Sequence, residues 1–87
     1  MQIKVHKKFA KNYQKRISSN PKFVSKFQTK LKRFIADPKD PTLNDHKLIG
    51  KLSSYRAFSV TGDIRVVCKI VDDELWLYDI GSHNQVY

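Results

Sequence analysis

His83 follows directly on an apolar run, Leu75 to Ile80, that Gly81 and Ser82 close. An imidazole titrates near neutral pH. A strand end fixes its position while leaving it open to water and substrate. A histidine in this place also serves simply to cap an exposed strand end. His46 lies in the polar stretch Thr42 to Lys51, beside Lys47 and ahead of Lys51. Arg65 alternates with Ile64, Val66 and Cys68, so it belongs to the face that this apolar set leaves open. A guanidinium on a rigid strand offers a planar donor fork that suits a phosphate. His6 sits at a strand–helix junction and reads as structural. Cys68 reads as core and Trp76 as sheet packing. No Cys/His spacing resembles a zinc site.

Eighty-seven residues are enough for one domain, 1–87, with roughly one layer of helix on one sheet. A single cysteine excludes an internal disulfide and suits a reducing compartment. The start carries no signal-peptide pattern, and no apolar run is long enough to span a membrane. A cytoplasmic protein with no membrane partner is the expectation. Charge is the strongest compositional signal: 17 Lys/Arg against 8 Asp/Glu give +9. Residues 1–41 hold twelve Lys/Arg and two Asp, and residues 42–87 hold five Lys/Arg and six Asp/Glu. The positive field therefore belongs to the first half. Such a field favours nucleic acid, a membrane surface or an acidic protein.

The elements that must position these residues follow from periodicity. Ile3 and Val5 alternate in a short strand near a sheet edge. Phe9, Tyr13 and Ile17 fall on one helical stripe, with Lys7, Lys8, Lys11, Lys15 and Arg16 around it. Asn20 is a good N-cap and Pro21 a good first helical residue for a second helix to about Ala36. Its stripe is Phe23, Val24, Phe27, Leu31, Phe34 and Ile35. Pro38 and Pro41 stop it. Strands are expected over Tyr55 to Val60, Ile64 to Val71 and Leu75 to Ile80, joined by the turns Thr61-Gly62-Asp63 and Asp72-Asp73-Glu74. The fold class is α+β with the order β-α-α-β-β-β. A two-helix hairpin packs on one face of a curved, mainly antiparallel four-stranded sheet, and the other face is free to bind.

This order, the segment DHKLIGKLSSYR, the GDIR turn and the ending IGSHNQVY together resemble the RelE/ParE superfamily of bacterial toxins. The likeness is closest to the RelE-type branch that includes the YafQ-like mRNA interferases, and it runs over the whole chain. It implies the toxin of a type II toxin–antitoxin system. Such toxins are ribosome-dependent endoribonucleases that cleave mRNA in the A site through the ribose 2′-OH. They need no metal or other cofactor. The implied partners are a cognate antitoxin and the ribosome with its mRNA.

The resemblance also assigns roles. His83 matches the catalytic histidine after the last strand, and His46 the loop histidine of the YafQ-like branch. Asp63 matches an acidic turn position and would orient a histidine. Arg65 would clamp the phosphate. Tyr87 matches a terminal aromatic that stacks on a base or assists proton transfer. Lys47, Lys51 and Arg56 would grip backbone phosphates. The chain departs from the pattern at Ser59, where relatives often carry histidine, at Ile64, where they carry tryptophan, and at Asp79, where many carry arginine. The last change is expected to remove a phosphate contact. A ParE-like gyrase inhibitor without nuclease chemistry shares the fold, but it usually lacks the two histidines and the aromatic ending. A basic nucleic-acid-binding module is the third reading.

Overall fold

The computed structural model describes residues 1–48, 50 and 53–87. Strand β1 (Gln2–Val5) leads into helix α1 (Lys7–Arg16) and helix α2 (Pro21–Ala36). A 3-10 turn (Pro41–Leu43) is followed by β2 (His46–Lys47), β3 (Arg56–Ser59), β4 (Ile64–Val71), β5 (Glu74–Ser82) and a last helical turn, α3 (His83–Val86). The sheet has five strands in the order β1-β5-β4-β3-β2, one more than the expected four. The addition is the two-residue β2, too short to leave an alternating pattern, and it pairs antiparallel with β3. β1 runs parallel to β5, and the remaining pairs are antiparallel.

Local chemistry accounts for the helices. Asn20 Oδ1 accepts from the backbone N–H of Lys22 at 3.0 Å and of Phe23 at 3.3 Å, so α2 begins at Pro21 as its cap and proline predict. His6 caps α1, its Nδ1 accepting from the Lys8 N–H at 3.1 Å, which is the structural role expected of it. Both helices lay aromatic stripes on the sheet. Phe9, Tyr13 and Phe27 form one cluster, and Phe34 stacks on Phe58 with ring centroids 4.6 Å apart. Ile64, Val66, Cys68, Leu75, Leu77 and Ile80 complete the core from the sheet. Ile35, expected on the apolar stripe of α2, is exposed, and so are Ile3 and Val5 of β1. β1 is an edge strand that neither helix covers fully, and Ile35 lies in the last turn of α2, beyond the sheet.

A bulge organises β5. Cys68 pairs with Leu77 while Val67 pairs with Asp79, so Tyr78 is an extra residue. The shift lets Leu77 and Ile80 both face the core. It also turns Asp79 toward α1. That helix takes over the β5 edge where β1 stops. The ladder runs on through the His6 N–H to the Leu77 carbonyl at 2.8 Å, and Arg16 Nη1 then donates to the Ile80 carbonyl at 2.9 Å. A helix along a bared edge removes a site for unwanted strand pairing.

The second face of the sheet is only partly free. α3 folds against β4 and β5, Val86 is buried, and Ala57 and Val67 on that face are also fully buried. The Cys68 thiol lies in the main core, where burial pushes its pKa up from 9.0 to about 12. A thiol that resists ionisation in the native state stabilises the fold fully below pH 9, and that contribution declines as pH rises toward 12. Denaturant unfolding at several alkaline pH values is therefore expected to show a steeper loss of stability for the native chain than for Cys68→Val. Each pH unit in this window contributes at most about 1.4 kcal/mol to the difference.

Candidate active site

The loop before β2 places His46. The 3-10 turn is capped by Asp40, whose Oδ1 accepts from the Thr42 N–H at 2.9 Å and the Thr42 hydroxyl at 2.7 Å. Those bonds hold the Asp40 carboxyl below its ordinary pKa. Leu43 anchors the turn in the core. Asn44 then takes a left-handed backbone, φ 49°, which asparagine tolerates. Its carbonyl lies 2.9 Å from His46 Nδ1. A carbonyl only accepts, so Nδ1 carries the proton and the neutral ring keeps its lone pair on Nε2. That is the tautomer of a general base.

β5 and α3 place the other imidazole. The strand runs on through Ser82, two residues beyond the expected end, and His83 opens a helical turn rather than a loop. Gln85 Oε1 accepts from the Ser82 N–H at 2.7 Å and closes that turn. A Cβ at Gly81 would lie 2.6 Å from Arg16 Nη1 and 2.7 Å from Gln85 Oε1, so both side-chain tips would have to move aside for a larger residue. Tyr87 follows the turn, and its ring neighbours both histidines. Its ring centroid is 4.5 Å from that of His83 and 6.4 Å from that of His46, edge-on to both. Partial burial raises the phenol pKa, against the pull of the nearby Arg65 charge, so the phenol is protonated at neutral pH. Arg65 Nη1 is held by the Ser59 hydroxyl at 2.7 Å and by the Thr61 carbonyl at 3.4 Å.

His46, His83, Tyr87 and Arg65 thus come together. The other expected site residues do not join them. Asp63 is exposed in the β3–β4 turn, and among the described residues no hydrogen bond joins its carboxylate to either histidine. Arg56 is committed to Asp45, donating from Nε at 2.9 Å and also from Nη2, and it lies over the Phe34 ring. The Asp45 bond raises its pKa, with burial opposing. Lys47 follows His46 in β2, and adjacent strand residues face opposite ways. It lines a pocket of about 230 Å³ with Arg56 and Ile70, away from the histidines. Lys51 lies outside the described residues. Asp79, expected at the phosphate site, is instead buried against α1, where Asn12 Nδ2 donates to it at 2.7 Å.

Arg65 links this cluster to a second feature. A cleft of about 520 Å³ between α2 and the β3–β4 turn is lined by Lys26, Lys30, Arg33 and Arg65, and among the described residues no acidic side chain stands on its wall. Lys30 Nζ and Arg33 Nη1 also reach Thr42, at 3.1 and 3.2 Å, which ties the His46 loop to α2. Periodicity marks these cations as the wet face of a helix. Their convergence on Arg65 depends on the tertiary fold. Among the described residues no group of three or more His, Cys, Asp or Glu could hold a metal ion, and no helix is long and apolar enough to cross a membrane.

The whole chain, residues 1–87, matches the family model of YafQ, described as the bacterial toxin of a type II toxin–antitoxin system. The chain belongs to the YafQ toxin family. No curated protein sequence is significantly similar to this YafQ-family chain. Solved structures agree on the fold. A copper-bound mutant toxin from Helicobacter pylori is 27% identical with a TM-score of 0.79, over 100% of this chain and 99% of that one. YafQ from E. coli BL21(DE3) is 22% identical with a TM-score of 0.80, over 99% and 97%. YafQ in the E. coli DinJ–YafQ toxin–antitoxin complex is 24% identical with a TM-score of 0.73, over 99% and 96%.

Proposed function

We propose that this YafQ-family toxin is a metal-independent endoribonuclease that cuts mRNA in the ribosomal A site and so stops translation. One observation carries the reading: a protonated phenol neighbours two imidazoles, one held in the tautomer of a base, beside a fixed guanidinium. RNA cleavage through the 2′-OH needs a base, an acid and a cation at the phosphorane. His46 Nε2 takes the 2′-OH proton as O2′ bonds to phosphorus. The P–O5′ bond breaks, and His83 gives a proton to the leaving O5′. The products are a 2′,3′-cyclic phosphate and a 5′-hydroxyl. Tyr87 stacks on a base or passes the proton, and Arg65 neutralises the charge on the phosphate.

The cleft of Lys26, Lys30, Arg33 and Arg65 supplies the field for a polyanion. A cytoplasmic location and a cognate antitoxin that covers the site complete the proposal; DinJ bound to E. coli YafQ is the precedent. Induced expression in a bacterial host tests it. Translation arrest with mRNA cut at defined positions, leaving cyclic phosphate ends, supports the nuclease. Intact mRNA with a DNA-damage response supports gyrase inhibition instead. Replacing Lys26, Lys30 and Arg33 by glutamine is expected to flatten the salt dependence of RNA binding. The log–log slope falls by about 0.7 for each single-strand phosphate that is no longer neutralised. An unchanged slope would mean that the cleft does not touch RNA.

A further inference from the structure

Away from the histidines, the same face of the sheet carries a second feature that catalysis does not use. Tyr55, just before β3, lies against Tyr78 of the β5 bulge with ring centroids 4.8 Å apart. Lys69 Nζ stands over the Tyr55 ring at 5.5 Å, and Lys8 Nζ over the Tyr78 ring at 5.0 Å. His6 closes the far side, its ring centroid 5.0 Å from that of Tyr78. Trp76, opposite Lys69 in the ladder, is 36% exposed, and Glu74 holds its indole N–H at 3.3 Å. His6, Tyr55, Lys69, Val71, Trp76 and Tyr78 enclose an open pocket of about 220 Å³.

We infer that this pocket is a base-stacking subsite for a nucleotide of single-stranded RNA flanking the cleavage position. Planar aromatic faces beside the Lys69 ammonium suit a base on the ring and a phosphate on the cation. Among the described residues Lys69 forms no ion pair, so its charge is available to a phosphate. Position fits as well. Arg65 and Lys69 lie four residues apart on one face of β4, about 13 Å along the strand, so a short extended strand of RNA spans both. The inference rests on the ribonuclease reading for the direction of the RNA, but binding is measured without cleavage.

Trp76 is the only tryptophan in the chain and reports directly on this pocket. A 2′-O-methyl hexa-adenylate, which cannot be cut, is titrated against the intact chain. Saturable change in Trp76 fluorescence is expected, with little change for an abasic hexamer of equal charge. Tyr55→Ala and Tyr78→Ala are each expected to weaken hexamer binding by about tenfold, while Tyr55→Phe, which keeps the ring, binds as the native chain does. Thermal melts of the alanine variants show whether they are folded; the Phe variant and the abasic strand decide the matter even where they are not. No fluorescence change with the hexamer overturns the inference, as does equal response to the abasic strand. A response confined to an acidic peptide overturns it in favour of a protein-docking surface. If induced expression leaves mRNA intact while the hexamer still perturbs Trp76, the nuclease reading fails and the RNA subsite stands.

Discussion

The His83→Ala variant is expected to lose growth arrest on induced expression and to keep its fold. His83 is exposed at the start of α3, so removing its ring leaves no cavity in the core. Its ring packs edge-on to Tyr87 alone among the aromatic neighbours described. A well-placed proton donor contributes roughly 10²–10⁴-fold to the rate. A toxin slowed that far no longer outpaces synthesis of its targets. Single-turnover cleavage of ribosome-bound mRNA, read beside a thermal melt, is the decisive measurement. Full activity in this variant would remove His83 from the chemistry. Tyr87→Phe keeps the aromatic contact and lacks the hydroxyl. A rate unchanged by it would confine Tyr87 to stacking, and a large loss would place its proton in the reaction path.

The second large effect is expected at Asp79 and is one of stability. Its side chain is 1% exposed. Oδ1 accepts from Asn12 Nδ2 at 2.7 Å and from the Ile80 N–H at 2.8 Å, and Arg16 Nη1 lies 3.7 Å away. Among the described residues Oδ2 makes no hydrogen bond, and it faces Lys8 Nζ at 3.6 Å. Asp79→Ala leaves the buried Asn12 amide unsatisfied and frees the Arg16 charge from its partner. Leaving a buried polar group unsatisfied costs about 1–3 kcal/mol, against a total stability of about 5–15 kcal/mol for a domain of this class. A fall in melting temperature of about 5–20 °C is the expected reading. Asp79→Asn retains an acceptor for Asn12 and is expected to cost less. Equal stability of the alanine variant would mean that α1 docks through its aromatic stripe alone.

Most of the frame is legible in the residues. The α2 start is written in Asn20-Pro21, and the two hairpins in Thr61-Gly62-Asp63 and Asp72-Asp73-Glu74, because caps and turns are decided by near neighbours. What stays hidden is set at a distance. β2 exists only because β3 lies beside it. The β5 bulge flips the parity of the strand at Tyr78, and no local pattern announces it. Asp79 reads as a lost phosphate contact because many relatives carry arginine there; its partners, Asn12 and Arg16, come from the other end of the chain. Arg56 and Lys47 read as phosphate grips because charge is visible in a sequence and commitment to Asp45 or to the wrong sheet face is not. The histidine pair is legible from the strand end before His83 and from likeness to a family. Tyr87 as the ring neighbouring both is not.

The parallel pairing of β1 on β5 sets the order in which the molecule is assembled. Gln2 meets Glu74 and Val5 meets Leu77, so the first strand synthesised waits for the last to arrive. Contacts of such long sequence separation close slowly, because loop entropy is lost before they return any stabilisation. The β3–β4–β5 meander, joined by tight turns, can zip up early; the edge formed by β1 and α1 comes late. Asp79 and the Gly81 approach of Arg16 belong to that late edge, whereas α3 with His83 rests on β4 and β5. A newly made chain therefore gains its meander before the α1 edge that Asp79 anchors.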